Sequence, residues 1–206
     1  MTKQRRAHWN SVYDTKSAHE VSWYQERPEK SLDLIEGAGI GPADAVIDVG
    51  GGASTLVDTL LDRGYRDLTV LDVSASALRQ SQERLGTRAT GVTWTVTDVT
   101  RFKPGRQYRA WHDRAVLHFL TEAPDRARYV EVLKSALELG AYAILATFGP
   151  DGPEKCSGLP VRRYTVDMMA ELLGPGFALR HSELEEHTTP GGSAQQFLFS
   201  TWKKCG

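Results

Sequence analysis

The stretch that decides the fold is Ala45-Val46-Ile47-Asp48-Val49-Gly50-Gly51-Gly52. Its first five residues form a short, mostly apolar run that reads as a strand, and the run stops in three consecutive glycines. Helical spacing follows at once: Leu56, Val57, Leu60 and Leu61 share one face, and Gly64 supplies the stop. Glycine at a strand-to-helix turn lets another molecule approach the backbone closely, and the helix start offers unpaired N–H groups.

The same alternation continues on the C-terminal side. Leu68 to Val73 reads as a second strand, and Ser74 can cap a helix whose face carries Ala77, Leu78, Ser81 and Leu85. Val92 to Val96 is a third strand, and Tyr108 to Trp111 is a weaker fourth, followed by the apolar stretch Ala115 to Leu120. Tyr129, Val130, Leu133, Ala136 and Leu137 make a helical stripe that Gly140 closes, and Ala141 to Phe148 is the most continuously apolar strand. Strands separated by helical patterns require βαβ units and a parallel sheet covered on both faces. Residues 149–164 hold three prolines and three glycines and predict a long loop. Thr165 caps a short helix ending at Leu173, and Phe177 to Leu184 with Gln195 to Trp202 predict a closing antiparallel pair.

Composition narrows the function classes. The 206 residues carry 25 Lys and Arg against 26 Asp and Glu, a formal charge of −1, which disfavours a dedicated nucleic-acid or anionic-membrane binder. The two cysteines, Cys156 and Cys205, are too few for a disulfide framework or a multi-cysteine zinc module, and no metal site is expected. No apolar run approaches the roughly 18–20 residues of a membrane span, and the basic start MTKQRRAHWNSVYD has no apolar core behind it. A cytoplasmic chain folded as one domain over residues 1–206 is expected.

The pattern Asp48-x-Gly50-x-Gly52 resembles the first motif of class I S-adenosylmethionine-dependent methyltransferases, with Ser54 where the third glycine of that motif falls. A dinucleotide fingerprint fits less well, because its last glycine position is Thr55 here. An acidic Asp48 suits a cofactor whose amino-acid end carries an ammonium and would repel a pyrophosphate. The motifs run over residues 45–120, and the closing antiparallel pair extends the resemblance over most of the chain. It implies that Asp72, beside Val73, accepts from the ribose hydroxyls and that Asp98 and Val99 read the adenine edge. It also places the segment from His112 through Arg114 and His118 to Leu120 along the methionine end. The implied fold is α/β, a doubly wound, mostly parallel seven-stranded sheet with an antiparallel last strand and a helical N-terminal lid. Each of these positions also has a plainer reading, an Asp at a strand end as a helix cap and the glycines as a tight turn.

Candidates for the acceptor side come from three places. His112, Asp113 and His118 would lie beside the cofactor sulfur as catalytic groups, although His118 among apolar neighbours reads equally as a packed residue. The segment before residue 36 carries Trp9, Tyr13, Trp23 and Tyr24, more aromatics than a solvated arm needs. The resemblance implies a lid there, with Trp23 near the cofactor and Trp9, Tyr13 and Tyr24 near the acceptor. The 149–164 segment offers Cys156 as an acceptor contact and Arg162, Arg163 and Tyr164 as holders of an anionic acceptor, while His181 and His187 near the last hairpin are weaker candidates. The function expected is methyl transfer from S-adenosylmethionine, giving S-adenosylhomocysteine, to a small molecule. A protein-lysine methyltransferase of the same fold and a non-catalytic cofactor-binding scaffold are the alternatives.

Overall fold

The computed structural model describes residues 2–206. Seven strands form the main sheet: β1 (Val46–Val49), β2 (Leu68–Asp72), β3 (Val92–Val96), β4 (Tyr108–Arg114), β5 (Leu137–Phe148), β8 (Phe177–Thr188) and β9 (Ala194–Lys204). Their order across the sheet is β3-β2-β1-β4-β5-β9-β8. The β1–β2, β1–β4, β2–β3 and β4–β5 pairs are parallel, and β9 runs antiparallel to both its neighbours. This is the doubly wound, mostly parallel arrangement expected from the sequence.

Both faces of the sheet are buried, and the period-2 side-chain alternation divides the apolar residues between two cores. Ile47, Val49, Leu71, Trp111 and Leu145 join one core with Tyr129 and Leu133 of α5 (Ala123–Ala136) and Met169 of α6 (Val166–Leu173). Val46, Leu68, Val70, Ala110 and Ile144 face the other. They pack there against α2 (Glu29–Gly37), α3 (Leu56–Asp62) and α4 (Ala75–Leu85), through Leu32, Ile35, Leu56, Leu60 and Leu78. The caps foreseen at α4 and α6 are present: Ser74 accepts from the Ala77 N–H, and Thr165 accepts from the Met168 N–H.

Two elements differ from the sequence expectation. Gly140 does not end α5. The helix stops at Ala136, β5 begins at Leu137, and Gly140 (φ +81°) sits where the β4–β5 register slips between the Tyr108–Leu137 and Ala110–Tyr142 pairs. Leu133, Ala136 and Leu137 are all buried, so one apolar pattern spans the end of the helix and the start of the strand. The 149–164 segment is also not wholly a loop. Lys155–Cys156 (β6) pairs with Leu159–Pro160 (β7) in a hairpin turned by Ser157 (φ +50°) and Gly158 (φ +76°).

An N-terminal helix, α1 (Thr2–Thr15), packs against α4. The Ser74 hydroxyl donates to Asn10 Oδ1 at 2.8 Å, and Gln80 donates to the Tyr13 carbonyl at 2.7 Å. No helix among the described residues is long and apolar enough to cross a membrane.

Two leucines of one strand test the packing. Leu145 is fully buried and Leu139 is 70% exposed. Leu145→Ala is expected to lower unfolding free energy by about 2–5 kcal/mol in urea titrations, and Leu139→Ala by less than about 0.5 kcal/mol.

Candidate functional site

The C-terminal ends of β1, β2, β3 and β4 converge on one edge of the sheet, where open α/β sheets hold ligands. Gly50 has φ +70°, and its N–H donates to the Leu71 carbonyl at 2.7 Å. A side chain there would run into Val116, so the turn after β1 needs glycine on both counts. Beneath it, Asp48 is buried, and its Oδ1 accepts from His112 Nδ1 at 2.7 Å across the β1–β4 pair. The other ring nitrogen of His112 lies 2.9 Å from the Ser31 hydroxyl on α2. Asp48 Oδ2 is buried without a partner among the described residues. A buried carboxylate oxygen in that state favours a cationic or hydrogen-bond-donating group beside it.

At the end of β2, Asp72 Oδ1 accepts from the Ser74 N–H at 2.8 Å. Burial, with the Asp48 charge adding to it, pushes the Asp72 carboxyl up to about 7. After β3, Asp98 Oδ1 accepts from the N–H and hydroxyl of Thr100 at 3.0 and 2.7 Å. Its Oδ2 lies 3.4 Å from Arg5 Nη1, and the same guanidinium donates to Asp125. α1 therefore reaches over this edge through an ion pair with two buried carboxylates.

Beyond β4 the backbone is strained: Ala115 has φ +74° in a residue with a side chain. Asp113 holds the turn by accepting from the Val116 N–H at 2.8 Å and from the Tyr129 hydroxyl at 2.5 Å. Trp111 Nε1 donates in turn to Tyr129 at 3.0 Å. Arg114 Nη1 donates to the Trp23 carbonyl at 2.8 Å, which ties β4 to the N-terminal arm.

Two adjoining cavities open along this edge. The larger, about 770 Å³ including its mouth, runs from Asp72, Val73, Asp98 and Val99 to Trp9, Trp23, Phe119 and Cys156. The smaller, about 550 Å³, lies over Asp48, Gly51 and His112 and is bounded by Tyr24 and Gln25. Tyr13, Trp23, Gly50 and Arg114 line both. At the far end of the larger cavity, Trp9 makes edge contacts with Trp23 and Phe119 at centroid separations of 5.6 and 5.0 Å. Cys156 is buried and its thiol is pushed up to about 11, chiefly by desolvation.

Several residues foreseen as site residues lie elsewhere. Asp113 lines neither cavity, because both its oxygens are committed to the 116–117 turn and Tyr129. His118 also lines neither. It is fully buried, accepts from the Phe148 N–H through Nδ1 at 3.2 Å, and is pushed down to about 3 by burial and the Arg114 charge. A ring so held is neutral and packed, not a base at the cavity. His112 lines the smaller cavity only, bound to Asp48 and Ser31. Gly52 lines neither, but a side chain on it would crowd Asp72. Tyr164 is packed in the core beside α5, and Arg162 lies over its ring at 5.6 Å, so neither reaches the cavities. His187 Nε2 lies 2.9 Å from the Ser22 carbonyl, and His181 pairs with Glu183 at the surface. Phe119 belongs to the 112–120 segment expected at the methionine end, whereas Arg5 and Ser31 are not marked by the sequence. Arg5 sits in a basic run whose only sequence signal was charge, and Ser31 carries none.

The Asp72 carboxyl supplies a pH test. Its folded value near 7 exceeds the ordinary 3.8, so the protonated form favours folding. That contribution is complete below pH 3.8 and lost as the pH rises through about 7. The ligand-free protein is expected to lose stability over this window, and Asp72→Asn is expected to flatten that part of the slope in urea midpoints measured at each pH.

Comparison with known proteins agrees with this geometry. Residues 46–140 match a family model described as a methyltransferase domain. The mouse (Mus musculus) eEF1A lysine and N-terminal methyltransferase is 24% identical over 134 residues, 65% of this chain but 19% of that protein. The chain thus spans about a fifth of the length of the curated relatives it matches. Among solved structures, the N-methyltransferase NodS from Bradyrhizobium japonicum, in complex with S-adenosyl-l-homocysteine, superposes with a TM-score of 0.72 at 14% identity, covering 95% of this chain and 97% of that one. The Burkholderia thailandensis 1,6-didemethyltoxoflavin-N1-methyltransferase gives 0.70 at 18% identity, covering 100% and 91%. Residues 46–140 thus resemble a methyltransferase domain, and the chain shares the fold of these solved methyltransferases.

Proposed function

We propose that the chain transfers the methyl group of S-adenosylmethionine to a small-molecule acceptor. The observation that carries this reading is a single continuous space. It runs from the Asp72 and Asp98 edge past Gly50 into a ring of Trp9, Trp23, Phe119 and Cys156 beneath α1. In this reading Asp72 and Val73 receive the ribose, Asp98 and Val99 the adenine, and Asp48 with Gly50 and Gly51 the amino-acid end. The unpartnered Asp48 oxygen and the side-chain-free turn are the features that fit such a ligand. When bound, S-adenosylmethionine supplies an electrophilic methyl carbon on a sulfonium.

The chain's own contribution is then positioning and exclusion of water. Among the described residues no histidine lines the larger cavity itself, so an acceptor there would be held at attack distance by the aromatic walls, with His8 packed behind Trp9. His112 acts as a positioning residue that fixes one Asp48 oxygen and leaves the other to the ligand. Residues 1–36 serve as a lid, and the hairpin in 149–164 walls the acceptor side through Cys156.

A second reading has one specific support: the curated relatives are named as lysine and N-terminal methyltransferases of a protein, eEF1A. It predicts transfer to a polypeptide inserted under α1. Two measurements separate the possibilities. Calorimetry is expected to show S-adenosylhomocysteine binding that weakens about 5–150-fold in Asp72→Ala, the loss of a buried hydrogen-bond partner worth about 1–3 kcal/mol. No binding to the wild type would end both methyltransferase readings. Incubation of a cell extract with methyl-labelled S-adenosylmethionine is expected to put label in the low-mass fraction. Label confined to a protein band supports the second reading.

A further inference from the structure

Arg114 is a partly buried cation whose guanidinium has more hydrogen-bonding capacity than its surroundings use. It leaves β4 at the wall common to both cavities. Nη1 donates to the Trp23 carbonyl, and the guanidinium carbon lies 4.8 Å from the centre of the Phe197 ring on β9. Nε and Nη2 are buried and have no partner among the described residues. Arg114 forms no ion pair there: Glu185, the acid whose charge it feels most, is held by Lys30 at 3.8 Å. Burial pushes the guanidinium down to about 10, yet at neutral pH it remains charged. A desolvated, unpaired charge is costly, and an anion placed beside it would relieve that cost.

The two free nitrogens also have a shape. Nε–H and one Nη2–H lie on the same side of the planar guanidinium and form a two-pronged edge, the geometry that binds both oxygens of a carboxylate. The group is stacked on Phe197, tied to the arm at Trp23, and close enough to Cys156 to act on its thiol. These contacts belong to the β5–β9 half of the site, away from Asp72 and Asp98 at the ends of β2 and β3.

We propose that Arg114 selects the acceptor by its charge: the methyl acceptor is a small molecule bearing a carboxylate, received by the Nε–Nη2 edge. The proposal rests on the small-molecule methyltransferase reading above. It makes Arg114 a specificity residue for the acceptor. The same edge could instead receive the carboxylate of the cofactor's amino-acid end, and the experiment has to separate the two.

The probes are benzoate, phenylacetate and the uncharged isostere benzamide, titrated into protein saturated with S-adenosylhomocysteine. The readout is tryptophan fluorescence, since Trp9 and Trp23 wall the cavity. Wild type is expected to bind the two acids at least 10-fold more tightly than the amide. In protein kept saturated with S-adenosylhomocysteine, Arg114→Met is expected to abolish that preference. Arg114→Lys, which keeps the charge but not the two-pronged edge, is expected to retain a partial preference. Equal binding of acid and amide to wild type, or no saturable response to either acid, overturns the proposal and needs no variant to fold. It is overturned equally if Arg114→Met loses S-adenosylhomocysteine more than 10-fold but keeps 5′-methylthioadenosine, which lacks the amino-acid end. Wild type that binds no S-adenosylhomocysteine overturns the methyltransferase reading and this proposal with it. Saturable cofactor binding without acid preference overturns the proposal alone.

Discussion

The pairing of Asp48 with His112 across β1 and β4 is the constraint on which the site depends. Two adjacent parallel strands each place a polar residue at the same register position, on the face covered by α2. An isolated carboxylate or imidazole in that position would be heavily penalised by burial. Joined at 2.7 Å, with Ser31 completing the chain from α2, they turn a liability into a fixed directional group. One Asp48 oxygen is consumed by this arrangement, and the other stays buried beneath the glycine turn. Ser31 therefore links the helix that follows the N-terminal arm to the turn that follows β1. Disturbing any one of the three leaves a buried polar group of the others unpaired.

Gly50 makes the geometry sterically possible. Its left-handed backbone brings the chain back to the Leu71 carbonyl, and its missing side chain leaves room for Val116 from the strained turn after β4. That turn is held in place by Asp113, which is held by Tyr129, which is held by Trp111 in the core. The site's shape is thus carried from the interior of the sheet by a chain of buried polar contacts, and residues that never meet a ligand position those lining the cavities.

Much of this was legible in the sequence because it depends on local pattern. The strands with runs such as Val46–Val49 and Leu68–Asp72 are apolar on both faces, the caps at Ser74 and Thr165 announce their helices, and the glycine turn has a fixed position after β1. What was not legible depends on distant packing. His118 and Asp113 have the chemistry of catalytic groups, and only the fold shows that Phe148 and Tyr129 occupy them. Tyr164 resembles a binding residue until the core closes over it. Arg5 carries no periodic signal, since its role arises where α1 crosses the carboxylates at positions 98 and 125. Gly140 looks like a helix stop because a helix cap and a strand bulge both favour a left-handed residue.

Charge on this protein is arranged within the cavities and does not show in the total. The balance of 25 basic and 26 acidic residues suggests a surface with no strong preference. Inside, the ends of β1, β2 and β3 present the carboxylates of Asp48, Asp72 and Asp98, while the side toward β9 presents Arg114. In a desolvated space these opposite signs act over short distances with little screening, so each half favours a different kind of group. The acidic half suits hydroxyl, amino and ammonium donors, and the basic half suits an oxyanion. Arg5 shows the same logic from the opposite direction: a cation from the arm is drawn to the acidic end, which anchors α1 across the site. Selectivity in such a chain follows from where four or five buried charges are placed, and a neutral composition is no obstacle to it.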